Sequence, residues 1–327
     1  MLVLVTLFWG LSFPLMRTWQ QEAKGGPSPP GTTAAGDHSV ARGGSPGGKG
    51  LAALTLIALR MLLALAVLAT CRPQLFLAPS RREHGTGTVI GCAFFLGFSL
   101  QVVGLSWITP ALSALITSLA CAWVPLLALA CFRTPVPALT LLGLGLGIGG
   151  VAVLTEMDGH NGRSLGWGEG LTLLASVFFA VQIVLLDRLG RRTRSAHLTV
   201  GFLGVTGLSA LVIAVVWAAT TAQLAAWLAW VASMLGSWQI VSDVALLTLL
   251  STVLAFHWMN TYQPRVSAGR AALIYLLEPV FAAMFSVGMG HEELTHNLLL
   301  GGGLVLAGNL LVEVPARLRA LRTRRPG

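Results

Sequence analysis

The sequence predicts an all-α integral membrane protein with ten transmembrane helices, arranged as two inverted repeats of five helices. The first observation is composition: the 327 residues are 55% hydrophobic and only 10% charged, with a mean hydropathy of +0.77. That much apolar surface does not fit inside one soluble core. The apolar runs are roughly 20 residues long and lack the alternation of barrel strands, so they predict helices that cross a bilayer.

The second observation is an internal duplication. A shift of 158 residues carries Ala114 onto Ala272 and, without a gap, Gly150 onto Gly308. The same shift also matches Leu115 with Leu273, Ile116 with Ile274, Leu119 with Leu277, Gly143 with Gly301, and Gly145 with Gly303. Each half then holds five spans, an odd number, so the second half enters the membrane from the opposite face. Inverted repeats of this kind are typical of proteins that work by alternating access around a site near the midplane.

Ten apolar runs predict the spans, and the segments between them predict loops. In chain order the spans are Leu2–Trp19, Leu51–Cys71, Thr88–Trp107, Ala111–Phe132, Ala138–Leu154, Gly168–Leu186, His197–Trp217, Val244–Tyr262, Ala268–Met289 and Thr295–Val314. Residues 20–50, rich in Gly, Pro and Ser, are expected to form a mobile loop. Residues 222–240 are rich in tryptophan and predict a helix in the membrane interface, with an eleventh crossing as the alternative.

The basic residues predict the orientation. If both termini are cytoplasmic, fifteen of the 21 lysine and arginine residues fall in inner segments and five in outer segments, which is the bias that orients membrane proteins. Seven tryptophans then lie at outer ends, as in an aromatic belt: Trp19, Trp107, Trp167, Trp217, Trp227, Trp230 and Trp238. We expect a multi-pass protein of the cell membrane, with residues 1–155 as the first repeat, 156–314 as the second and 315–327 as a basic cytoplasmic tail.

Charge and cysteine content exclude several functions. The net charge of +9 lies in short clusters between apolar spans; such clusters contact lipid headgroups, so lipids rather than nucleic acids are the expected partners. The four cysteines, Cys71, Cys92, Cys121 and Cys131, form no CxxC pair. Neither a disulfide framework nor a metal site follows, and no cofactor is expected.

Two charged side chains stand inside predicted spans, Arg60 in the second and Glu278 in the ninth. Charges in hydrocarbon are costly, at about 2.5–3.5 kcal/mol on insertion scales, so each needs a partner or a wet cavity. Pro279 adds a freed carbonyl at Tyr275, because proline has no N–H. A pair between Arg60 and Glu278 is the favoured hypothesis. For Arg60 the alternative is an interface position. Glu278 is expected to gain and lose a proton in the working cycle, and the alternative is a fixed ion pair that braces the kink at Pro279.

Further polar and aromatic residues are candidates for binding a substrate or coupling its movement. Beside Glu278 and Arg60 they are Tyr275, His257, Asn260, Trp9, Ser12, Gln101 and Gln182. Each has an ordinary alternative in helix packing or interhelical hydrogen bonding. Helix kinks are predicted at Pro14, Pro125 and Pro279, and Glu292 and Glu293 in the last outer hairpin are expected to lie in water.

Glycine is concentrated in the fifth span, at Gly143, Gly145, Gly147, Gly149 and Gly150. This spacing gives two overlapping GxxxG faces, which let another helix approach closely.

Four segments carry a resemblance to a known family. They are LFWGLSFPLM (Leu7–Met16), LRMLLALAVL (Leu59–Leu68), SALITSLACAWVPLLAL (Ser113–Leu129) and ALIYLLEPVFAAMF (Ala272–Phe285). In order and spacing they resemble the EamA-type members of the drug/metabolite transporter superfamily. The resemblance implies ten helices, cytoplasmic termini, and export or exchange of a small metabolite, such as an amino acid or a drug, through a cavity between the halves.

The predicted function is secondary transport of a small molecule by rocking of the two halves, not enzymatic catalysis. Glu278 is the leading candidate for proton or substrate coupling. An integral membrane enzyme acting on lipid and a non-transporting assembly or receptor protein are the alternatives. The expected partners are the substrate and membrane lipids, with a homodimer left open.

Overall fold

The computed structural model describes residues 1–23, 48–76, 80–132, 138–155, 166–190, 193–266 and 274–322. Its helices are α1 (Leu2–Glu22), α2 (Gly48–Cys71), α3 (Arg81–Gly104), α4 (Pro110–Ser118), α5 (Ala120–Phe132), α6 (Ala138–Thr155), α7 (Trp167–Leu189), α8 (Ser195–Thr220), α9 (Leu224–Leu235), α10 (Trp238–Thr248), α11 (Ala255–Tyr262), α12 (Leu277–Gly288) and α13 (His296–Arg322). In this part of the chain there is no strand, and seven helical segments are long and apolar enough to cross a bilayer. The prediction of an all-helical, multi-pass membrane protein is confirmed.

Several predicted segments differ from the helices or lie outside the described residues. The predicted eighth span begins at Trp238 rather than Val244, and a π-helical turn, Leu249–Leu254, joins α10 to α11. Helix α13 continues to Arg322, past the predicted start of the tail. Most of the loop predicted over residues 20–50 and the end of the tail are not among the described residues.

Both halves contain a helix that is interrupted at an equivalent position. A turn at Leu119 separates α4 from α5, so the predicted fourth span is two helices. In the second half a turn at Leu276 precedes α12. The shift of 158 residues carries Ser118, the last residue of α4, onto Leu276. In the second half Pro279 explains the interruption, because proline has no N–H to donate to the carbonyl one turn back. In the first half the equivalent residue is Cys121, which does not explain the interruption there.

Helices α6 and α13 pack through glycine, as the GxxxG spacing predicts. A Cβ atom at Gly150 would lie 2.6 Å from the Gly301 carbonyl oxygen, and one at Gly308 would meet the Gly143 carbonyl oxygen. Because the shift exchanges Gly143 with Gly301 and Gly150 with Gly308, the contact maps onto itself. Gly149 faces open space, so only one side of α6 requires small residues.

The remaining helix contacts join the two halves extensively. Helix α2 packs against α8, and α4 packs against α12. Helix α3 lies against α7 and α8, while α1 lies against α11 and α12. The apolar core therefore runs between the halves, with residues such as Phe13, Ile57 and Phe202 fully buried in it.

The tryptophans at the predicted outer ends do not all face outward. Trp107, Trp167, Trp217 and Trp238 are exposed, as a belt requires. Trp19, Trp227 and Trp230 are buried, and that part of the prediction is wrong. The Trp19 indole donates to the Ala52 carbonyl and packs edge-on against Trp230, while Trp227 donates to the Thr55 hydroxyl. Helix α9 is thus attached to α1 and α2 through its tryptophans.

A capping box begins α3 and also joins it to the second half. The Ser80 hydroxyl accepts from the Glu83 N–H, and the Glu83 carboxylate accepts from the Ser80 N–H. The same carboxylate accepts two hydrogen bonds from the Arg194 guanidinium, the shorter at 2.8 Å. Arg194, just before α8, is largely exposed, so this ion pair contributes little to stability beyond positioning the loop.

The hairpin between α12 and α13, which the sequence predicts to be outer, is only partly exposed. Glu293 is exposed, as predicted. Glu292 is half-buried, and its Oε1 accepts a 2.7 Å hydrogen bond from the Ala111 N–H in the first turn of α4. The Ser286 hydroxyl donates to the same oxygen. The expectation of a solvated Glu292 is therefore wrong, because the N–H groups of a first helical turn lack acceptors within the helix.

Replacing Gly150 by leucine is expected to destabilise the protein, because the side chain would overlap the backbone of α13. Overpacking of a close helix contact costs about 1–3 kcal/mol. Thermal unfolding in detergent measures the effect. Gly149→Leu is the matched control on the same helix, and its unfolding temperature should stay near that of the parent. Equal losses in both variants would contradict the glycine-mediated contact.

Candidate functional site

A cavity lies between the two halves, beside both interrupted helices. The space free of atoms, including the opening of the cavity, is about 840 Å³. Its lining comprises Trp9, Ser12, Phe13, Arg60, Phe94, Phe98, Gln101, Ala114, Thr117, Ser118, Ala120, Cys121, Phe179, Gln182, Ile183, Phe256, Met259, Gln263, Tyr275, Glu278 and Pro279. Most of the surface is apolar, and polar groups interrupt it at a few points.

Most predicted site residues meet at this cavity. Those that line it are Glu278, Arg60, Tyr275, Trp9, Ser12, Gln101, Gln182 and the kink residue Pro279. His257 and Asn260 are not in the lining. Asn260 is buried and donates a 2.8 Å hydrogen bond to the Thr199 hydroxyl, which joins α11 to α8. Helix packing, the alternative in the sequence, explains Asn260 better than substrate contact does.

Arg60 does not pair with Glu278, and the favoured hypothesis of an ion pair is wrong. Its guanidinium donates from Nη2 to the Ser251 carbonyl at 2.9 Å and from Nε to the Thr252 hydroxyl at 2.5 Å. The Met16 sulfur accepts a third hydrogen bond, from Nη1, at 3.7 Å, and the centre of the Phe98 ring lies 5.2 Å from the guanidinium carbon. A freed carbonyl, rather than an anion, is what satisfies this charge.

The freed carbonyl comes from the π-helical turn Leu249–Leu254, which the sequence does not predict. A π-turn shifts the backbone hydrogen bonds by one residue and leaves a carbonyl available to another group. The Thr252 hydroxyl donates five residues back to the Leu247 carbonyl, and the Ser251 hydroxyl donates to the Phe8 carbonyl on α1. Arg60, only 1% exposed, therefore holds α2 against an irregular turn of the second half.

Glu278 lies in the first turn of α12 and faces the cavity. Among the described residues, its carboxylate accepts no hydrogen bond and forms no ion pair. The proposed brace between Glu278 and Arg60 is therefore absent. Close to Glu278 in the sequence, the Tyr275 hydroxyl donates a 2.8 Å hydrogen bond to Gln263 Oε1. This bond holds the residue just before the helix break in place. The carboxyl group is thus the least constrained charge of the cavity.

Amide side chains fill two different roles around the cavity. Gln101 donates to the Thr117 hydroxyl at 2.7 Å, and Asn309 donates to the Ser118 hydroxyl at 2.9 Å. Both bonds fasten α4, from α3 and from α13. Gln182 is buried in the lining, and Trp9 has a buried indole N–H without an acceptor among the described residues. These two groups are free to meet a polar substrate.

An aromatic wall covers one side of the cavity, and sequence reasoning missed most of it. Phe94 stacks on Phe98 with ring centroids 5.1 Å apart, and Phe256 lies edge-on to Phe94 at the same distance. Trp9 bridges this cluster to Tyr275, with centroids 5.5 Å apart. The phenylalanines come from α3, α7 and α11, and no spacing within one helix indicates that they converge.

Two predicted kink residues lie outside the lining. Pro14 is buried in α1, and the Thr18 hydroxyl donates to its carbonyl. Gly10, whose carbonyl Pro14 leaves without a helical partner, packs tightly against α12, since a Cβ there would lie 2.6 Å from the Cβ of Phe281. Pro125 lies inside α5. Neither proline lines the cavity, so each can affect the shape of the cavity only by changing the position of its helix.

Comparison with known proteins agrees with the fold. Residues 166–314 match the EamA-like transporter family. An uncharacterized transporter of Archaeoglobus fulgidus is 25% identical over 232 residues, which cover 70% of this chain and 68% of that protein. One protein of known crystal structure superposes with a TM-score of 0.52 and 17% identity, covering 96% of this chain and 98% of the other, and shows the same fold.

The EamA-like match and the relative named as a transporter support a membrane transporter. The resemblance found in the sequence is confirmed: the EamA-like transporter match over residues 166–314, together with the relative named as a transporter, supports a member of the drug/metabolite transporter superfamily.

Arg60→Lys is expected to destabilise the protein although it keeps the charge. An ammonium group is a compact donor and cannot reproduce the fork that joins Ser251 and Thr252. Loss of one hydrogen bond from a charged donor costs about 1.5–3 kcal/mol, measured as the shift in thermal unfolding in detergent. Arg72→Lys, at an exposed position just after the same helix, is the control and should change little. A fully stable Arg60→Lys variant would contradict this role.

Proposed function

We propose that the chain is a secondary transporter, an exporter or exchanger, of a small metabolite such as an amino acid or a drug-like compound. It works by alternating access of two inverted five-helix repeats, residues 1–155 and 156–314, in the cell membrane. Both termini face the cytoplasm, and residues 315–327 form the basic tail. The proposal is supported by a cavity between the halves, beside two interrupted helices, that is lined by Glu278, a carboxylate without a bonded partner among the described residues.

The reciprocal helix contacts support the inverted repeats. If the shift of 158 residues relates the halves, exchanging them turns the contact of α3 with α8 into one of α10 and the π-helical turn with α2. It also turns the contact of α1 with α12 into one of α7 with α5. Both members of each pair are present. The self-matching glycine contact of α6 with α13 lies where a two-fold axis in the membrane plane would pass.

Contacts between helix ends support the orientation. Glu83 and Arg194, both in segments predicted to be inner, are bonded to each other. On the predicted outer side, Lys49 lies 3.6 Å from the centre of the Trp107 ring, and Glu292 accepts from Ala111. Each of these contacts joins two segments that the distribution of basic residues assigns to the same face.

The cavity residues then divide the work of transport. Glu278 is the coupling group, because a carboxyl without a partner in hydrocarbon must carry a proton or face a positive group. Gln182 and the Trp9 indole offer hydrogen bonds to a polar substrate, and Ser12, Gln101 and Tyr275 complete that wall. Arg60 contributes positive charge to the cavity while anchoring α2. Rocking of the halves exposes the cavity to each side in turn.

The test begins with a screen of metabolites and toxic analogues, comparing intracellular and medium levels with and without expression. A compound identified in this way is then followed in proteoliposomes. If no compound moves in either system, the proposal loses to a non-transporting assembly role.

Glu278→Gln is expected to slow transport and to remove its dependence on pH, because an amide does not exchange a proton. Initial rates in proteoliposomes across a pH series measure both effects. Glu293→Gln, the same change at an exposed residue, should leave rates and pH dependence unaltered. Unchanged kinetics of Glu278→Gln at every pH would remove this residue from the mechanism, and a variant that fails to fold would favour a structural role.

A further inference from the structure

The outer ends of the two proposed repeats are fastened by the hairpin between α12 and α13. Glu292 Oε1 accepts from the Ala111 N–H of α4, and the neighbouring His291 Nε2 lies 3.3 Å from the Thr18 hydroxyl of α1. Ala111 and Thr18 belong to the first repeat, whereas His291 and Glu292 belong to the second. The first contact reaches the first turn of α4, and the second reaches α1 near its C-terminal end.

The Glu292 contact is a helix cap supplied by a distant part of the chain. Helix α4 has its own cap, the Thr109 hydroxyl, which accepts from the Leu112 N–H at 3.4 Å. The Ala111 N–H is bonded instead to Glu292. A carboxylate at the positive end of a helix is favourable through both the hydrogen bond and the helix dipole. Ser286, which donates to the same oxygen, is 0% exposed and orients the carboxylate from α12.

Helix α4 connects this contact directly to the cavity. Its N-terminal end binds Glu292, and its C-terminal turns contribute Ala114, Thr117 and Ser118 to the cavity lining. Between these levels Leu112, Leu115 and Ile116 pack in an apolar cluster with Leu298 and Val305 of α13. The contacts within this cluster are apolar and not directional, whereas the Glu292 carboxylate bond must be broken before the N-terminal end of α4 and the hairpin separate.

We propose that Glu292 is a latch that holds the outer side of the cavity closed, and that its release from Ala111 opens the cavity to that face. The inference rests on the proposed alternating access. It adds a specific residue that controls one of the two openings and that does not contact the substrate. Glu293, the next residue, has the same charge but is exposed, so the proposal assigns the function to one of two adjacent carboxylates.

Cys121 provides a native reporter of opening, since it is buried and lines the cavity. With Cys71, Cys92 and Cys131 replaced by serine, a membrane-impermeant maleimide is applied to either face of the membrane separately. Glu293→Cys, in the same background without Cys121, identifies the face that carries the hairpin.

Glu292→Gln and Ser286→Ala are expected to speed labelling of Cys121 from the hairpin face, by about tenfold for Glu292→Gln, because a bond to a charged acceptor is lost. Glu293→Gln should leave the rate unchanged. Labelling rates equal to the parent in both Glu292→Gln and Ser286→Ala would overturn the latch, and so would an equal increase in Glu293→Gln.

Transport measured on the same variants separates this proposal from the proposed function. If labelling does not respond while the parent transports its substrate, the latch is wrong and the transporter stands. If labelling responds but no compound is transported, the hairpin is a latch and the transport proposal fails. Ser286→Ala keeps every charge and removes only one hydroxyl. If Glu292→Gln fails to fold, labelling of Ser286→Ala still tests the latch.

Discussion

The structure depends on one constraint, that a charged guanidinium inside hydrocarbon must have its donors satisfied by the protein. Arg60 meets this constraint with the Ser251 carbonyl and the Thr252 hydroxyl, on a turn of π-helix. A regular α-helix would use that carbonyl itself, so the irregular turn and the buried arginine require each other. The consequence is a fixed joint between α2 and the second half at the wall of the cavity. Glu278, which the same charge would otherwise neutralise, stays available.

Around this joint the two halves combine rigid and separable contacts. Helices α6 and α13 meet backbone to backbone through glycine, and that contact has no room to slide. On the hairpin side the halves meet through an apolar cluster and the Glu292 bond. The proposed rocking requires both a rigid contact and one that can be released, and the glycine contact and the Glu292 bond meet these two requirements.

More of the fold than of the candidate site could be predicted from the sequence. Hydropathy and glycine spacing predicted the helices and the α6 contact, because both patterns lie within single segments of chain. Arg60, Glu278 and Pro279 were identified because charge and proline are conspicuous in an apolar span. The partner of Arg60 was predicted wrongly, since no residue near Ser251 indicates a π-turn. The aromatic wall was missed because Phe94, Phe179 and Phe256 come from three helices, and convergence of that kind is set by packing. Trp227 and Trp230 were assigned to an interface by composition alone, although their indoles pack on α1 and α2.

If the two halves are inverted copies, helix ends that the shift of 158 residues relates to each other must lie on opposite faces of the membrane. A shift of 158 residues carries Ser80, the cap of α3, onto Trp238, the first residue of α10, and both are exposed. In a background without native cysteines, Ser80→Cys and Trp238→Cys are labelled in sealed vesicles with an impermeant maleimide. Because the halves are inverted, we expect the two cysteines to react from opposite faces of the membrane. Reaction of both from the same face would contradict it.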